Sequence, residues 1–193
     1  MKRTFFSLAL LLAVATLTAQ TKMTAREAAV KIADRILAST TYEFKNTKTG
    51  EIYKSVKKLP LDMDVKVACK YNNWHYTNGV TNMALMELGD KLGDKKYEKY
   101  VLKNMNFVFN EGNLDFFRKQ YDEAFKRDGW NAVRKLSWHM IFRGKRLDDN
   151  GPMGASLIEL QLKYPNDSFL GYINETAEHL NYGEPRLVDG TIA

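Results

Sequence analysis

A helical pattern returns 72 residues later in this chain, and that periodicity limits the folds open to it. Glu87 and Glu159 are 72 positions apart, and the same offset pairs Gly79 with Gly151, Leu85 with Leu157, Leu88 with Leu160, Lys91 with Lys163 and Tyr100 with Tyr172. Tyr97 and Phe169, and Val101 and Ile173, match conservatively. The repeating unit is a loop, a helix, a short turn around Gly93 or Pro165, and a second helix. A helical hairpin cannot bury its apolar face alone, so copies must stack. The expected architecture is therefore all-α, a solenoid or closed toroid of hairpins. Trp74-His75-Tyr76 precedes one helix much as Asp148-Asp149 precedes its counterpart. Equivalent loops on stacked hairpins converge on one end, so the aromatic and acidic segments are expected to be neighbours.

Local signals place the helices. Thr24 and Glu27 form a capping box, and Ala25, Ala29, Ile32, Ala33, Ile36 and Leu37 make an apolar stripe behind it, predicting a helix over 24–38. Residues 40–73 hold no sustained helical period: Thr49-Gly50 marks a turn, Pro60 a break, and 63–69 is either extended or one irregular turn. A second helix carries Val80, Met83, Ala84 and Leu88 on one side and stops at Gly93. Tyr97, Tyr100, Val101, Met105 and Val108 mark a third, closed by Gly112, and 114–125 a fourth. Residues 129–144 hold Trp130, Trp138, His139 and Phe142 without a clean stripe and read as a long aromatic loop. A fifth helix ends at Pro165, and a sixth, capped by Asp167, runs through Phe169, Tyr172, Ile173, Ala177 and Leu180.

The acidic segment has its own chemistry. Asp148 and Asp149 stand before Gly151, Pro152 and Gly154, with Leu157, Leu160 and Tyr164 following at helical spacing. The pair therefore lies just before or on the first turn of a helix, near its unpaired N–H groups and the positive end of its dipole. One acid suffices as an N-cap; the second is unexplained by capping. Gly151 and Gly154 leave the backbone beside the pair uncrowded, as a ligand would require.

Lys2 and Arg3 followed by an apolar run from Phe5 to Ala15 have the layout of a secretory signal, so residues 1–20 are expected to be removed and 21–193 to belong to a single domain. The run is too short to span a bilayer comfortably, and no cysteine near the junction offers a lipid anchor. An exported, periplasmic or extracellular, soluble protein is expected. Its single cysteine, Cys69, excludes an internal disulfide. The net charge of +6 comes from basic residues scattered among acids, a solvated surface rather than a nucleic-acid stripe. Three dispersed His and one Cys give no metal-ligand spacing, and no cofactor is implied.

Three segments in order, Trp74-His75-Tyr76-Thr77-Asn78-Gly79-Val80, Leu147-Asp148-Asp149-Asn150-Gly151-Pro152-Met153-Gly154 and Arg186-Leu187-Val188-Asp189-Gly190-Thr191, resemble the unsaturated glucuronyl and rhamnogalacturonyl hydrolases, glycoside hydrolase families 88 and 105. The resemblance extends over residues 24–193 and implies an (α/α)6 barrel, a toroid of helical hairpins of which this chain supplies about half. In that family a Trp-x-Asp motif with a second essential carboxylate follows the Arg-x-x-Asp-Gly segment, and this sequence stops at Ala193 before one. The expectation is an N-terminal part of the enzyme, inactive by itself. The implied substrate is an acidic oligosaccharide with a 4,5-unsaturated uronyl residue at its non-reducing end, released by hydration of the double bond; pectin- or rhamnogalacturonan-type substrates are favoured.

Asp149 falls on the family's first active-site aspartate, polarising water and sugar hydroxyls, with Asp148 its neighbour or the cap. Trp74 is expected to stack on the sugar ring, with His75 and Tyr76 nearby. Two other readings compete: a non-catalytic helical-repeat module that binds a glycan or peptide, and another (α/α)6 barrel carbohydrate enzyme. An epimerase would want histidines as acid–base groups, and His75, His139 and His179 are the three present. Oligomeric state is not legible in the sequence.

Overall fold

The capping box forms as expected: the Thr24 backbone N–H and hydroxyl donate to Glu27 Oε2 at 2.8 and 2.9 Å, and the Glu27 N–H donates to Thr24 Oγ1 at 3.2 Å. It opens α1 (Ala25–Ser39). The computed structural model describes residues 23–110, 112–143 and 147–192, with the backbone alone at 147–149. The expected signal segment, 1–20, lies outside the described residues. The chain divides into a unit ending at Asp34 and a unit from Arg35 to Ala193, and the sheet and the remaining helices belong to the second.

Where helical periodicity fails, a small antiparallel sheet forms from β1 (Phe44–Asn46), β2 (Ile52–Tyr53) and β3 (Val65–Val67) in the order β2-β1-β3. Phe44 pairs with Tyr53 on one side and Val67 on the other. The alternation of the short central strand buries Phe44 and Asn46 and leaves Lys45 in solvent. The helices are α2 (Tyr76–Leu92), α3 (Lys96–Phe109), α4 (Asn113–Val133), α5 (Leu147–Lys163) and α6 (Asp167–Glu178). The fold is mostly helical, and α2–α3 and α5–α6 are the two hairpins that the 72-residue offset anticipates.

Four expectations are corrected. Helix α4 runs past residue 125 to Val133, across a kink at Asp128 and Gly129, where Gly129 adopts φ 50°. The aromatic segment at 129–144 is thus not one long loop: helix continues into it, and a 3-10 turn follows at His139–Phe142. Asn166, not Asp167, caps α6, its Oδ1 accepting from the Ser168 and Phe169 N–H groups at 2.9 and 3.4 Å. The buried face of α2 is made by Asn78, Gly79, Asn82, Leu85, Met86 and Gly89, while Val80 is 55% exposed. The physical reason is proximity. A Cβ on Gly79 would stand 2.7 Å from the Pro152 carbonyl oxygen and 2.5 Å from the Met153 nitrogen, so α2 turns its glycine to α5 at this crossing and Val80 falls on the open side.

Pro152 lies within α5 and has no N–H to give the Asp148 carbonyl. Gly151 before it lacks the Cβ that would collide with the proline ring in a helical backbone. The Gly-Pro pair therefore permits a helix here instead of breaking it, and the acidic segment is helical from Leu147.

Aromatic rings run through the core from sheet to α6. Phe44 lies 5.5 Å from Phe107 and 6.0 Å from Phe117; Phe117 stacks on Trp138 at 5.6 Å; Trp138 lies 6.0 Å from Trp74. Trp74 meets Phe109 at 6.1 Å and Tyr172 at 5.1 Å, and Phe109 reaches Phe169 at 5.5 Å. Each such pair adds about 0.5–1.5 kcal/mol beyond the area it buries. Gln120 fixes the sheet to α4 by donating to the Val65 carbonyl at 3.0 Å and the Asp62 carbonyl at 2.6 Å.

The two hairpins are tied at the C-terminal ends of α2 and α5 by a carboxylate. Glu98, buried on α3, receives Lys163 Nζ at 2.6 Å on one oxygen and the Tyr164 hydroxyl at 2.6 Å on the other. The bonds from Lys163 and then Tyr164 hold its carboxyl below the usual carboxylate range. A carboxyl lowered by folding contributes stability that is complete above its unfolded pKa and is lost as pH falls through the folded value. Glu98→Gln is expected to cost about 1–3 kcal/mol at neutral pH and to flatten the acid limb of the melting temperature against pH. At the helix crossing, Gly79→Ala should cost about 1–3 kcal/mol because backbone must shift. Gly154→Ala, whose Cβ would meet nothing within 4 Å, should stabilise α5 by about 0.5–1 kcal/mol; thermal melts of the two variants check the contrast.

Candidate functional site

The N-terminal ends of α2 and α5 hold the residues singled out in the sequence. His75 is the N-cap of α2, with extended backbone and a ring nitrogen accepting from the Thr77 N–H at 3.4 Å; the same Nδ1 lies 2.9 Å from the Thr77 hydroxyl. The next residue, Tyr76, is 45% exposed and its ring stands 4.7 Å from the His75 ring. Asp148 and Asp149 lie on the first turn of α5. Their backbone position is near the positive end of that helix; their side chains lie outside the described residues.

A buried amide joins the two ends. Asn150 Oδ1 accepts from the Trp74 indole N–H at 3.0 Å, and its Nδ2 donates to the Arg143 carbonyl at 2.9 Å. The Tyr172 hydroxyl donates to the Ile141 carbonyl at 3.3 Å and approaches Asn150 Oδ1 at 3.5 Å. Asn78 has the same role in the preceding repeat, donating to the carbonyls of Lys70 at 3.0 Å and Asn73 at 2.8 Å. Asn78 and Asn150 are 72 positions apart, each in the first turn of its helix, and each holds the loop that leads into it. The offset pairs them in the sequence, a signal that apolar and glycine positions alone do not reveal.

One role changes. Trp74 is 1% exposed, enclosed by Trp138, Phe109 and Tyr172, so neither face of its indole is open to a sugar ring. It is a core residue whose polar edge aligns the site. The accessible rings at this end are His75 and Tyr76. Trp138 is core as well, at 2% exposure, and adopts φ 62°, a left-handed conformation that costs a bulky residue about 1–3 kcal/mol. Its N–H donates to Asn73 Oδ1 at 2.9 Å, which helps hold it there and braces the loop before His75.

Beside Asn150 lies a hollow of about 110 Å³ whose lining includes Arg118, Phe142, Tyr172, Glu175 and His179. The Arg118 guanidinium sits 4.9 Å from the Phe142 ring centre, and His179 Nε2 lies 2.7 Å from Glu184 Oε1. Burial pushes the Tyr172 phenol far above its ordinary pKa, keeping it a neutral donor. These residues come from four separate elements, and no spacing in the sequence foretells their meeting. Together the end offers an exposed tyrosine beside a half-buried histidine, a helix terminus bearing two acids, and a small polar recess with one arginine. Such a set can hydrogen-bond a polar ligand carrying hydroxyls.

Among the described residues, no group of three or more His, Cys, Asp or Glu side chains could hold a metal ion, and no helix is long and apolar enough to cross a membrane. No protein-family model matches the chain, and no curated protein aligns with it.

Breaking the buried amide should show its structural weight. Trp74→Phe leaves Asn150 Oδ1 short of its donor and is expected to cost about 1–3 kcal/mol, with a coupling to Asn150→Ala of about 0.5–3 kcal/mol in a double-mutant cycle. Additive melts of the two variants would mean that the bond does not align the loops.

Proposed function

We propose that this chain is the N-terminal part of an exported (α/α)6-barrel glycoside hydrolase that removes a 4,5-unsaturated uronyl residue from the non-reducing end of lyase-generated oligosaccharides. The observation that carries the reading is the meeting of two of the resembling segments: the first donates to the second through Trp74 and Asn150, at the end where Asp148 and Asp149 begin α5. Asp149 is assigned the acid–base work, polarising the water that adds to the enol-ether double bond; Asp148 is its neighbour or cap. His75 and Tyr76 are the ring-bearing contacts for the sugar, replacing Trp74. This chemistry requires a second carboxylate, which the resemblance assigns to a Trp-x-Asp segment.

The product of the full reading frame, incubated with lyase-generated disaccharides, should remove the ultraviolet absorbance of the enol ether. Asp149→Asn should then lower kcat by about 10²–10⁴-fold while the melt is unchanged. Absence of turnover across several uronyl linkages would overturn the reading. Retained glycan binding without turnover in that same protein would instead favour a non-catalytic binding module.

A further inference from the structure

The aromatic segment at 129–144 is only partly core. Trp138 and Ile141 are buried, but Trp130 is 38% exposed, and Phe125 on the same helix is 56% exposed. These rings do not stand alone. The Trp130 and His139 rings lie 5.6 Å apart, and those of Tyr121 and Phe142 5.5 Å apart. Tyr121 and Phe125, one turn apart on α4, stack at 6.4 Å with planes 2° from parallel. His139 and Phe142 begin and end the 3-10 turn, three residues apart, so their side chains share one side of it. Trp130, His139, Phe142, Tyr121 and Phe125 thus make one strip of rings along α4 and across the turn.

Two guanidinium groups lie on this strip. Arg143 stands 3.9 Å from the Trp130 ring centre, and Arg118 4.9 Å from that of Phe142. Among the described residues neither is paired with a carboxylate; the polar contact of Arg143 is Met140 Sδ at 3.9 Å. A guanidinium laid over a ring keeps its N–H edge for a carboxylate, which it holds by two parallel bonds. Left-handed backbone precedes both rings of the Trp130–His139 pair, at Gly129 with φ 50° and at Trp138 with φ 62°. Such conformations in a bulky residue gather where a fold must present groups to a ligand. The strip also adjoins the acidic helix terminus. The Arg143 carbonyl accepts from Asn150, and Arg118 and Phe142 line the recess beside it.

We infer that this strip binds an acidic oligosaccharide beyond the residue that is removed. The exposed ring surface, negative at its face, takes the C–H sides of the sugars, and Arg118 and Arg143 take uronate carboxylates. The choice of a sugar acid over other anions rests on the proposed reaction; the binding itself needs no turnover.

The test is calorimetric titration of the 193-residue chain with saturated tetragalacturonate, which has no double bond to hydrate, and with the neutral galactose tetramer. Saturable binding of the acid is expected, with binding of the neutral oligomer weaker by about tenfold or more. Arg143→Gln should weaken binding of the acid by about 10–100-fold, and Trp130→Ala by about threefold or more. A measurement on the unaltered chain stands beside the variants. Of the three tryptophans, Trp74 and Trp138 are buried, so acrylamide quenching reports Trp130, which tetragalacturonate should shield. Absence of saturable binding, equal affinity for the two oligomers, or quenching unchanged by the bound acid would overturn the inference. So would tighter binding of a single-stranded oligonucleotide. Shielding of Trp130 without turnover by the product of the full reading frame would overturn the proposed reaction alone; turnover without shielding would overturn this inference alone.

Discussion

The buried hydrogen bond from the Trp74 indole to Asn150 is the contact on which the arrangement of this protein depends. It lies where the aromatic rings of the core reach the ends of two helices, and its acceptor also holds the segment leading into α5. A polar pair in such surroundings has one satisfactory partner geometry, because either group left alone would be buried without water. Packing of large rings alone tolerates shifts of register; an indole N–H that must find one amide oxygen does not. The bond therefore sets the first turn of α5, with its two acids, against the loop that carries His75 and Tyr76.

The same helices are constrained along their length by a different kind of contact. At Gly79 the backbones approach too closely for any side chain, and at the far end Lys163 of α5 reaches Asp90 of α2 at 3.5 Å while also pairing with Glu98 of α3. Hydrogen bonding, steric closeness and a charged pair each hold one point of the α2–α5 arrangement. Three such points fix translation and rotation of one helix on the other, which a continuous apolar seam would leave freer to slide.

Asn78 and Asn150 show how a repeat becomes a site. Both hold the loop preceding their own helix, yet Asn78 is bonded to backbone carbonyls alone, whereas Asn150 also receives Trp74 from the neighbouring unit. The second copy has thus acquired a link across the repeat boundary, at the position where acids rather than aromatic residues lead into the helix.

Periodicity is enough to find the helices, both hairpins and the end at which Trp74 and the segment of Asn150 come together, because these follow from local propensity and from the need of each hairpin to hide its apolar face. The sequence alone also locates the Thr24 cap, the stop at Gly93 and the acids at the start of a helix. It misjudges what depends on neighbours. Val80 has the spacing of a core residue, but the meeting of α2 with α5 demands glycine on the covered side instead. Trp74 has the makings of a binding platform, but its depth is set by Trp138, Phe109 and Tyr172, which lie far from it in the chain. The recess of Arg118, Tyr172 and His179 has no local signature at all. Local rules say which residues are helical; only the folded chain decides which face is covered, since burial is a property of what packs on a residue rather than of the residue itself.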